Sequence, residues 1–448
     1  MAAEGTWRTL AFLVLISMAF LLCYVSLLSP DRPRGIEPAA TAGENCQASR
    51  PPQPSLHERS RERVSSRQWA AMEPAPQTTA RTKEERKRVY LERADPYSRD
   101  LIVVYTNNEF LSMAMNNFCA LSSLDLLHRA VLFALDDQTC VAYAETIAKW
   151  AHLASVTPPP CVQGDVNITG LYGFASKWES PYLRILLQKA ELVEEVVSAG
   201  LNIVLMDADV LMLQDYRSAF TEALQFREDP DETTPELDWL DKVIVGWKHR
   251  NSKKHVILSD AEGRERDMRN WDMLIQADRR PGYMNEGARL HEADRSTRWA
   301  CAGFFYGRYS DASVAFFREV VKVIKEAHIG DQEAFQLLLT GELQLEDAAK
   351  NKENAEVINR YVAMARRRTS PPLKWRRLPS PFFPSGTVFP DLLKSYTKLK
   401  LPPPAVVHLN SMPHGQKLKM FKESQLWFLD SSAQYCRPPQ QPIIPKSE

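Results

Sequence analysis

The fold of this chain is decided by the segment Leu201-Asn202-Ile203-Val204-Leu205-Met206-Asp207-Ala208-Asp209. Its uninterrupted apolar run from Ile203 to Met206 predicts a strand that is buried on both faces of an α/β sheet. Because strand side chains alternate with a period of two, we expect Asp207 and Asp209 to project from the same side where the strand ends. Two carboxylates on one side of the chain are suited to hold one divalent cation.

No glycine-rich phosphate loop follows this predicted strand, since Gly200 precedes it. The phosphates of a bound nucleotide would therefore need a metal ion held by Asp207 and Asp209. The alternative is a capped turn without a metal, because Asp-x-Asp triplets also arise by chance. A second triplet, Asp229-Pro230-Asp231, lies in a polar stretch that predicts a solvated loop. We favour a metal site at the first triplet because acids that follow a buried apolar strand are costly without a cation.

The overall composition is that of a globular protein. Hydrophobic residues make up 44% of the 448 residues, a length that fits one large or two ordinary domains. Lys plus Arg and Asp plus Glu each number 56, so the formal net charge is zero. We exclude nucleic-acid binding as a main function, because that function requires a basic surface.

The N-terminal region contains a candidate membrane anchor at 10–28. This segment has nineteen residues and no charged side chain, which is long enough to cross a bilayer core of about 30 Å. The alternative is a cleaved signal peptide, but Ser29-Pro30-Asp31 is a poor cleavage site. Arg8 precedes the span while Arg32 and Arg34 follow it, so these charges do not define its orientation.

A lumenal position of the remaining chain is expected from other features. The acceptor sequence Asn167-Ile168-Thr169 predicts N-glycosylation at Asn167. Of the seven cysteines, Cys23 lies in the apolar span, and the other six allow fifteen full pairings that the sequence does not rank.

The distribution of polar and apolar residues divides the chain into five parts. The third part is rich in Pro, Arg, Glu and Ser and predicts a disordered stem, in which 82–93 can form a charged helix. A charged excursion in the globular part is expected to be a functional loop or lid, or else disordered. The predicted parts are a tail at 1–9 with the anchor at 10–28, a stem at 29–98, a globular domain at 99–436 with a charged insertion at 248–298, and a tail at 437–448.

The globular part begins with a strand, helix and strand in succession. Buried strands are predicted over 100–107 and 130–137, with a helix over 110–127 between them. This succession of strand, helix and strand predicts a mostly parallel sheet with right-handed crossovers, flanked by helices. Polar residues at the strand ends, among them Asp136, are expected to line a surface large enough to bind a nucleotide. Further helices are predicted over 142–153, 182–198 and 312–327, and further strands over 155–157, 243–247, 299–308 and 405–410.

Other polar residues are site candidates with structural alternatives. Arg184 and Lys189 on a predicted helix are either phosphate ligands or solvent-facing charges. Asp331 and Gln332 at a helix start either cap that helix or face the hydroxyls of a sugar. His408 at a strand end is either structural or a third ligand for the cation, and Lys417 is suited to hold a diphosphate as a point charge. The motif order is Tyr105-Thr106-Asn107, Asn116-Asn117, Leu135-Asp136, Lys189, Asp207-Ala208-Asp209, Gly303-Phe304-Phe305-Tyr306-x-Arg308, Asp331-Gln332-x-Ala334-Phe335, His408-x-Asn410 and Gly415 with Lys417.

Taken in this order, the motifs resemble the nucleotide-diphospho-sugar transferase family that includes plant and algal cell-wall xylosyl- and arabinosyltransferases. The resemblance covers about 100–430. It implies a GT-A fold, a UDP-sugar donor with Mn²⁺ or Mg²⁺, and transfer of a hexosyl or pentosyl unit to a glycan or glycoprotein hydroxyl with retention of configuration. It also implies a single-pass type II protein of the Golgi membrane with a lumenal catalytic domain.

The resemblance also implies roles for individual residues. Asp209 and His408 would be metal ligands, and Asp207 would contact both the donor ribose and the metal. In the same way, Thr106 and Asn107 would bind the nucleoside, Lys417 the diphosphate, and Asp331 with Gln332 the transferred sugar. Asp136 and Lys189 stand at further donor-binding positions.

The chain departs from the family pattern at Cys301-Ala302-Gly303, where members commonly have Asn-Ser/Thr-Gly. The change removes an amide and a hydroxyl that would bind the sugar, so the donor is left open. Two alternatives therefore stand beside the transferase. One is a catalytically inactive, transferase-like binding protein of the Golgi, and the other is a hydrolase of nucleotide sugars that uses water as acceptor.

Overall fold

The computed structural model describes residues 79–149, 157–165, 180–225, 267–279, 298–341, 355–366, 373–378, 382–386, 389–390, 404–430 and 436. The predicted anchor at 10–28, the sequon at Asn167 and the strand predicted over 243–247 lie outside these residues. No helix in the described part of the chain is both long and apolar enough to cross a bilayer.

The first half of the described chain alternates helices and strands, as the sequence predicts. Two of its helices begin with a capping side chain: Thr82 caps α1 in a capping box with Glu85, and Asp136 accepts the Thr139 amide at the start of α3. The elements are α1 (Lys83–Arg93), β1 (Asp100–Thr106), α2 (Leu111–Ser123), β2 (Ala130–Ala134), α3 (Asp137–Lys149), β3 (Cys161–Gln163), α4 (Ser180–Ser198), β4 (Asn202–Asp207), β5 (Val210–Met212) and α5 (Tyr216–Gln225).

The second half adds two longer strands and four helices. Helix α6 begins after Ser310, whose hydroxyl accepts the Ser313 amide, and ends at His328 in the left-handed region. The elements are β6 (Met273–Arg279), β7 (Arg298–Gly307), α6 (Asp311–Ala327), α7 (Asp331–Thr340), α8 (Ala355–Arg366), β8 (Trp375–Leu378), β9 (Val406–His408) and α9 (His414–Glu423).

Seven strands form one sheet in the order β3-β2-β1-β4-β7-β6-β8, and β5 pairs with β9 in a second, antiparallel sheet of two strands. Within the large sheet, β7 runs antiparallel to both neighbours, while all other pairs are parallel. The predicted mostly parallel α/β sheet with flanking helices is thus confirmed. Tyr105 pairs with Asp207 and Thr106 with Ala134, so the ends of β1, β2 and β4 share one edge.

The core lies on both faces of the large sheet, because the central strands are apolar throughout. Along β1, Ile102 and Val104 face one hydrophobic cluster, whereas Val103 and Tyr105 face the other. All seven residues of this strand are buried. Full burial of one such aliphatic side chain contributes about 1.5 to 3 kcal/mol. These strands therefore hold the polar edge of the sheet in a fixed position.

Three sequence predictions need correction. Strand β6 lies inside the predicted charged insertion, because the run Met273-Leu274-Ile275 is fully buried between β7 and β8. Helix α1 lies inside the predicted stem, and its Arg86 is buried against the domain rather than facing solvent. Of the strand expected over 155–157, Thr157 lies outside any strand and the other two residues lie outside the described part of the chain, while β3 begins at Cys161.

Candidate active site

Two carboxylates and one imidazole meet at the edge of the sheet where β4 ends. Potential ligand atoms of Asp207, Asp209 and His408 all lie within 4.8 Å of one another. His408 reaches this place because β9 pairs with β5 opposite Val210, and the Leu409 amide donates to the Asp209 carbonyl. The His408 Nε2 atom lies 3.4 Å from Asp209 Oδ1. The fold thus brings His408 to Asp207 and Asp209, which precede it by almost half the length of the chain.

This cluster fits a divalent cation by its donor set. Carboxylate oxygens and a neutral imidazole are both ligands of divalent cations in proteins, and the set alone does not define which cation binds. The space beside the cluster is kept by Gly303 on β7. A Cβ there would come to 2.4 Å from His408 Cε1 and 2.6 Å from Asp207 Oδ2, which no real contact allows. The glycine therefore permits strand, imidazole and carboxylate to meet.

Two lysines lie against the acidic pair. Lys189 of α4 lies 2.7 Å from Asp331 Oδ2 and 3.3 Å from Asp207 Oδ1, and its side chain is almost completely buried. Lys417 of α9 donates to Asp209 Oδ2 at 2.6 Å. Both residues stand where the sequence predicts donor-binding cations. Arg184, the other candidate on α4, is exposed.

Burial and neighbouring opposite charges shift the pKa values of these groups in opposite directions. Burial alone raises the pKa of Asp209, but the charges of Lys417 and His408 outweigh it and hold that pKa below its usual value. Burial also raises the pKa of Asp207 and outweighs the opposing charge of Lys189. For Lys189, burial alone lowers the pKa, while Asp207 and Asp331 together raise it well above its usual value. Lys189 is therefore a permanent cation that links the two acids.

Asp331 and Gln332 open α7 close to this cluster. Asp331 bonds the Gln332 amide with Oδ1 and contacts Lys189 with Oδ2, so its carboxylate is tied to the site and does not only cap the helix. The Gln332 side chain donates to Asp278 Oδ2 at 3.0 Å. Asp278, which the sequence analysis missed, is 2% exposed, and its Oδ1 has no hydrogen-bond partner among the described residues.

The predicted nucleoside contacts lie along the same edge of the sheet. Thr106 is the last residue of β1 and Asn107 follows it, and β1 neighbours β4 in the sheet. The Asp136 carboxylate accepts the Thr139 amide at 2.7 Å and the Asn108 amide at 3.0 Å. Asp136 therefore joins the start of α3 to the loop after β1, and its contact with a donor stays a prediction.

Cys301 and Gln276 face the other nitrogen of the histidine ring. The Cys301 sulfur lies 3.4 Å from His408 Nδ1, and Gln276 Oε1 lies 2.8 Å from the same atom. Burial raises the pKa of the Cys301 thiol. Because it is a protonated thiol on the side of the ring away from Asp209, Cys301 does not belong to the metal cluster. Gln276 was missed because its segment has the composition of a charged loop.

This chain matches a known protein family in sequence and several solved structures at a distance. The family model for nucleotide-diphospho-sugar transferases matches residues 125–257 and 268–422, which is more than half of the chain. No curated protein sequence matches this chain. Matching solved structures include the glycosyltransferase GlyE of Streptococcus pneumoniae TIGR4, the galactosyltransferase LgtC in complex with donor and acceptor sugar analogs, and mouse xyloside xylosyltransferase 1.

These structural likenesses are distant. GlyE is 8% identical with a TM-score of 0.31, and the match covers 76% of this chain but 65% of GlyE, less than two thirds of its length. For LgtC the identity is 12%, the TM-score 0.33, and the coverage 73% of this chain and 94% of that chain. For the mouse enzyme the identity is 11%, the TM-score 0.29, and the coverage 70% and 100%. TM-scores below 0.5 support no inference about the site. On the family match, this chain belongs to the nucleotide-diphospho-sugar transferases.

Proposed function

We propose that this protein is a metal-dependent glycosyltransferase that moves a sugar from a UDP-sugar to a hydroxyl of a glycan or glycoprotein. The observation that carries the proposal is the cluster of Asp207, Asp209 and His408 at the end of β4, with Lys189 and Lys417 against it. In open α/β sheets, ligands bind beyond the carboxyl ends of the strands, which is where this cluster lies.

The reaction requires stabilisation of a diphosphate leaving group. A divalent cation held by Asp207, Asp209 and His408 supplies positive charge to the phosphate oxygens when it is bound. Lys417 adds a second positive charge from α9 and is partnered by Asp209 before the donor arrives. Asp209 is buried, while the side chains of Asp207 and Lys417 are 28% and 13% exposed, so water screens these charges only in part.

The transferred sugar is expected to bind between α4, α7 and β6. Asp331, Gln332 and Asp278 offer carboxylate and amide groups to its hydroxyls, and Lys189 fixes the direction of Asp331. Asp278 Oδ1 is a buried acceptor suited to one hydroxyl donor. These groups recognise a sugar, but they do not identify which one.

Retention of configuration follows from the family resemblance and needs no separate base. The bond from the anomeric carbon to the diphosphate breaks while the acceptor oxygen bonds to the same carbon on the vacated face. The acceptor proton passes to the departing phosphate. Asp331 is a poor nucleophile for a covalent route, because its carboxylate is paired with Lys189 at 2.7 Å.

The proposed location is the Golgi lumen, behind a type II anchor at 10–28. The disulfide bonds Cys119–Cys436 and Cys140–Cys161 support an oxidising compartment, because cytosolic thiols are kept reduced. The apolar segment of nineteen residues supports the anchor.

The test is the thermal midpoint of the purified chain with UDP, with Mn²⁺, with both, and with neither. A ligand at about a hundred times its dissociation constant stabilises the folded state by about 2.7 kcal/mol, so we expect a raised midpoint with the pair. Asp209→Asn should abolish the response. Asp311→Asn is the matched control, because Asp311 is an exposed acid in the first turn of α6 and is not one of the three cluster residues.

Product analysis separates the remaining alternatives. Incubation with UDP-sugars and mixed glycan acceptors should give a glycosylated product that is lost in Asp209→Asn. Free sugar and UDP alone would indicate the hydrolase. A wild-type chain that ignores UDP with Mn²⁺ at saturation would contradict the proposal and favour the inactive binding protein.

A further inference from the structure

The Nδ1 atom of His408 has two neighbours, which favour different positions for the proton of the imidazole ring. Gln276 Oε1 lies 2.8 Å away and accepts hydrogen bonds only, while the Cys301 thiol at 3.4 Å can donate or accept. If the glutamine oxygen is the true partner, Nδ1 carries a proton, and Nε2, which lies 3.4 Å from Asp209 Oδ1, is the nitrogen left for a metal. If the thiol donates, Nδ1 is bare and a neutral ring carries its proton on Nε2.

The orientation of the Gln276 amide is fixed by its own nitrogen. Its Nε2 donates to the carbonyl oxygens of Phe383 and Pro384, each at 3.0 Å. Turning the amide over would set its oxygen against two carbonyl oxygens and remove the side-chain donor from both, although the His408 amide also donates to the Pro384 carbonyl. Gln276 is fully buried on β6, so water cannot replace these bonds. The oxygen of this side chain therefore faces the histidine.

The sulfur of Cys301 is engaged as an acceptor from another side. Asn410 Oδ1 accepts the Gly386 amide at 2.8 Å, which directs Asn410 Nδ2 to the sulfur at 3.9 Å. Cys301 is thus a polarisable neighbour of the ring, and an acceptor oxygen at the shorter distance decides the position of the proton.

We propose that Gln276 is a positioning residue that keeps the proton of His408 on Nδ1, so that Nε2 is free to bind the metal beside Asp207 and Asp209. The inference rests on the proposed function, since it assigns a purpose to the metal cluster. Partners that orient a histidine ligand in this way typically change metal affinity 10-fold to 100-fold when they are replaced. The strand that carries Gln276 therefore belongs to the site although it contacts no metal.

The experiment compares Mn²⁺ affinity in the purified full chain for wild type, Gln276→Met and Cys301→Ala, measured by electron paramagnetic resonance of free Mn²⁺. Methionine keeps the length of glutamine and removes its acceptor. We expect about 10-fold to 100-fold weaker binding in Gln276→Met and less than about threefold change in Cys301→Ala. Circular dichroism checks that each variant is folded.

A second readout is taken on the wild-type chain and uses a variant only to assign the signals. In wild type saturated with diamagnetic Zn²⁺, ¹⁵N resonances of the His408 ring, assigned by their loss in His408→Asn, should show the proton on Nδ1 and the metal on Nε2. A proton on Nε2, or wild-type Mn²⁺ affinity in folded Gln276→Met, would overturn the positioning role alone. Wild type that binds neither metal would overturn the metal site and with it the proposed function.

Discussion

At the scale of single residues, Gly303 is a position in the site with no room for a side chain. Its backbone lies so near the cluster that an added Cβ would meet His408 at 2.4 Å and Asp207 at 2.6 Å. We predict that Gly303→Ala displaces one of these side chains and weakens Mn²⁺ binding at least about tenfold, because ligand geometry controls affinity. Isothermal titration of Mn²⁺ into the purified chain measures the loss.

Gly307 on the same strand provides the control for this substitution. A Cβ at Gly307 would lie 3.2 Å from Ile203 and 3.3 Å from Phe317, both core residues away from the cluster. Gly307→Ala should therefore lower the free energy of unfolding by about 1 to 2 kcal/mol and leave Mn²⁺ affinity unchanged. If both variants bound Mn²⁺ with the affinity of the wild type, Gly303 would have no part in the metal site.

The residues of the site differ in how far the sequence predicts them. Asp207 and Asp209 are predictable because an apolar strand before two acids is a local pattern. His408 joins them only through the pairing of β9 with β5, and the sequence left its role open. Gln276 and Asp278 give no local signal, because their positions depend on the pairing of β6 with β7. Side chains recruited across a sheet are readable only once its strand order is known.

At the scale of elements, a buried cation contributes to the attachment of helix α1 to the domain. Arg86 is 2% exposed and bonds both oxygens of Glu195 on α4, at 2.9 and 2.7 Å, as well as Asp165 at 2.7 Å. We predict that Arg86→Ala lowers the free energy of unfolding by about 3 kcal/mol, because it leaves a mostly buried carboxylate unpaired. Urea denaturation measures the change.

Arg88 on the same helix is the matched control. Its side chain is 72% exposed and faces Glu92 at 3.7 Å, a surface pair that contributes about 0.5 kcal/mol or less. Arg88→Ala should therefore leave stability nearly unchanged. If Arg86→Ala were equally mild, α1 would be only loosely attached and the segment would behave as the stem that its composition predicts.

The same scale explains which elements the sequence predicts. Strands β1, β2 and β4 are long apolar runs, so the hydrophobic pattern alone locates them. Strand β6 has a short apolar run followed by Gln276, Asp278 and Arg279, and the buried side chains of Gln276 and Asp278 hydrogen-bond to neighbouring residues. Composition cannot distinguish such a strand from a charged loop.

At the scale of the whole molecule, the C-terminal segment is fastened to the start of the domain. Asn116 of α2 donates to the Leu426 carbonyl at 3.0 Å and accepts the Phe428 amide at 2.6 Å. The disulfide between Cys119 and Cys436 joins the same helix to the chain just beyond. The sequence left fifteen pairings open, because cysteine spacing does not reveal contacts that only the folded chain creates. These bonds also secure the region that follows α9, which carries Lys417.

The two disulfides should differ in strength because they close loops of very different length. Cys119 and Cys436 are 317 residues apart, whereas Cys140 and Cys161 are 21 apart. A longer loop restricts the unfolded chain more, which corresponds to roughly 3 kcal/mol for a short loop and nearly 5 kcal/mol for one of a hundred residues or more. We predict that the double serine variant of the longer bond loses about 2 kcal/mol more in urea denaturation than that of the shorter bond. The opposite order would mean that the C-terminal segment remains docked without its disulfide, through Asn116 and the apolar contacts of Leu426 and Phe428.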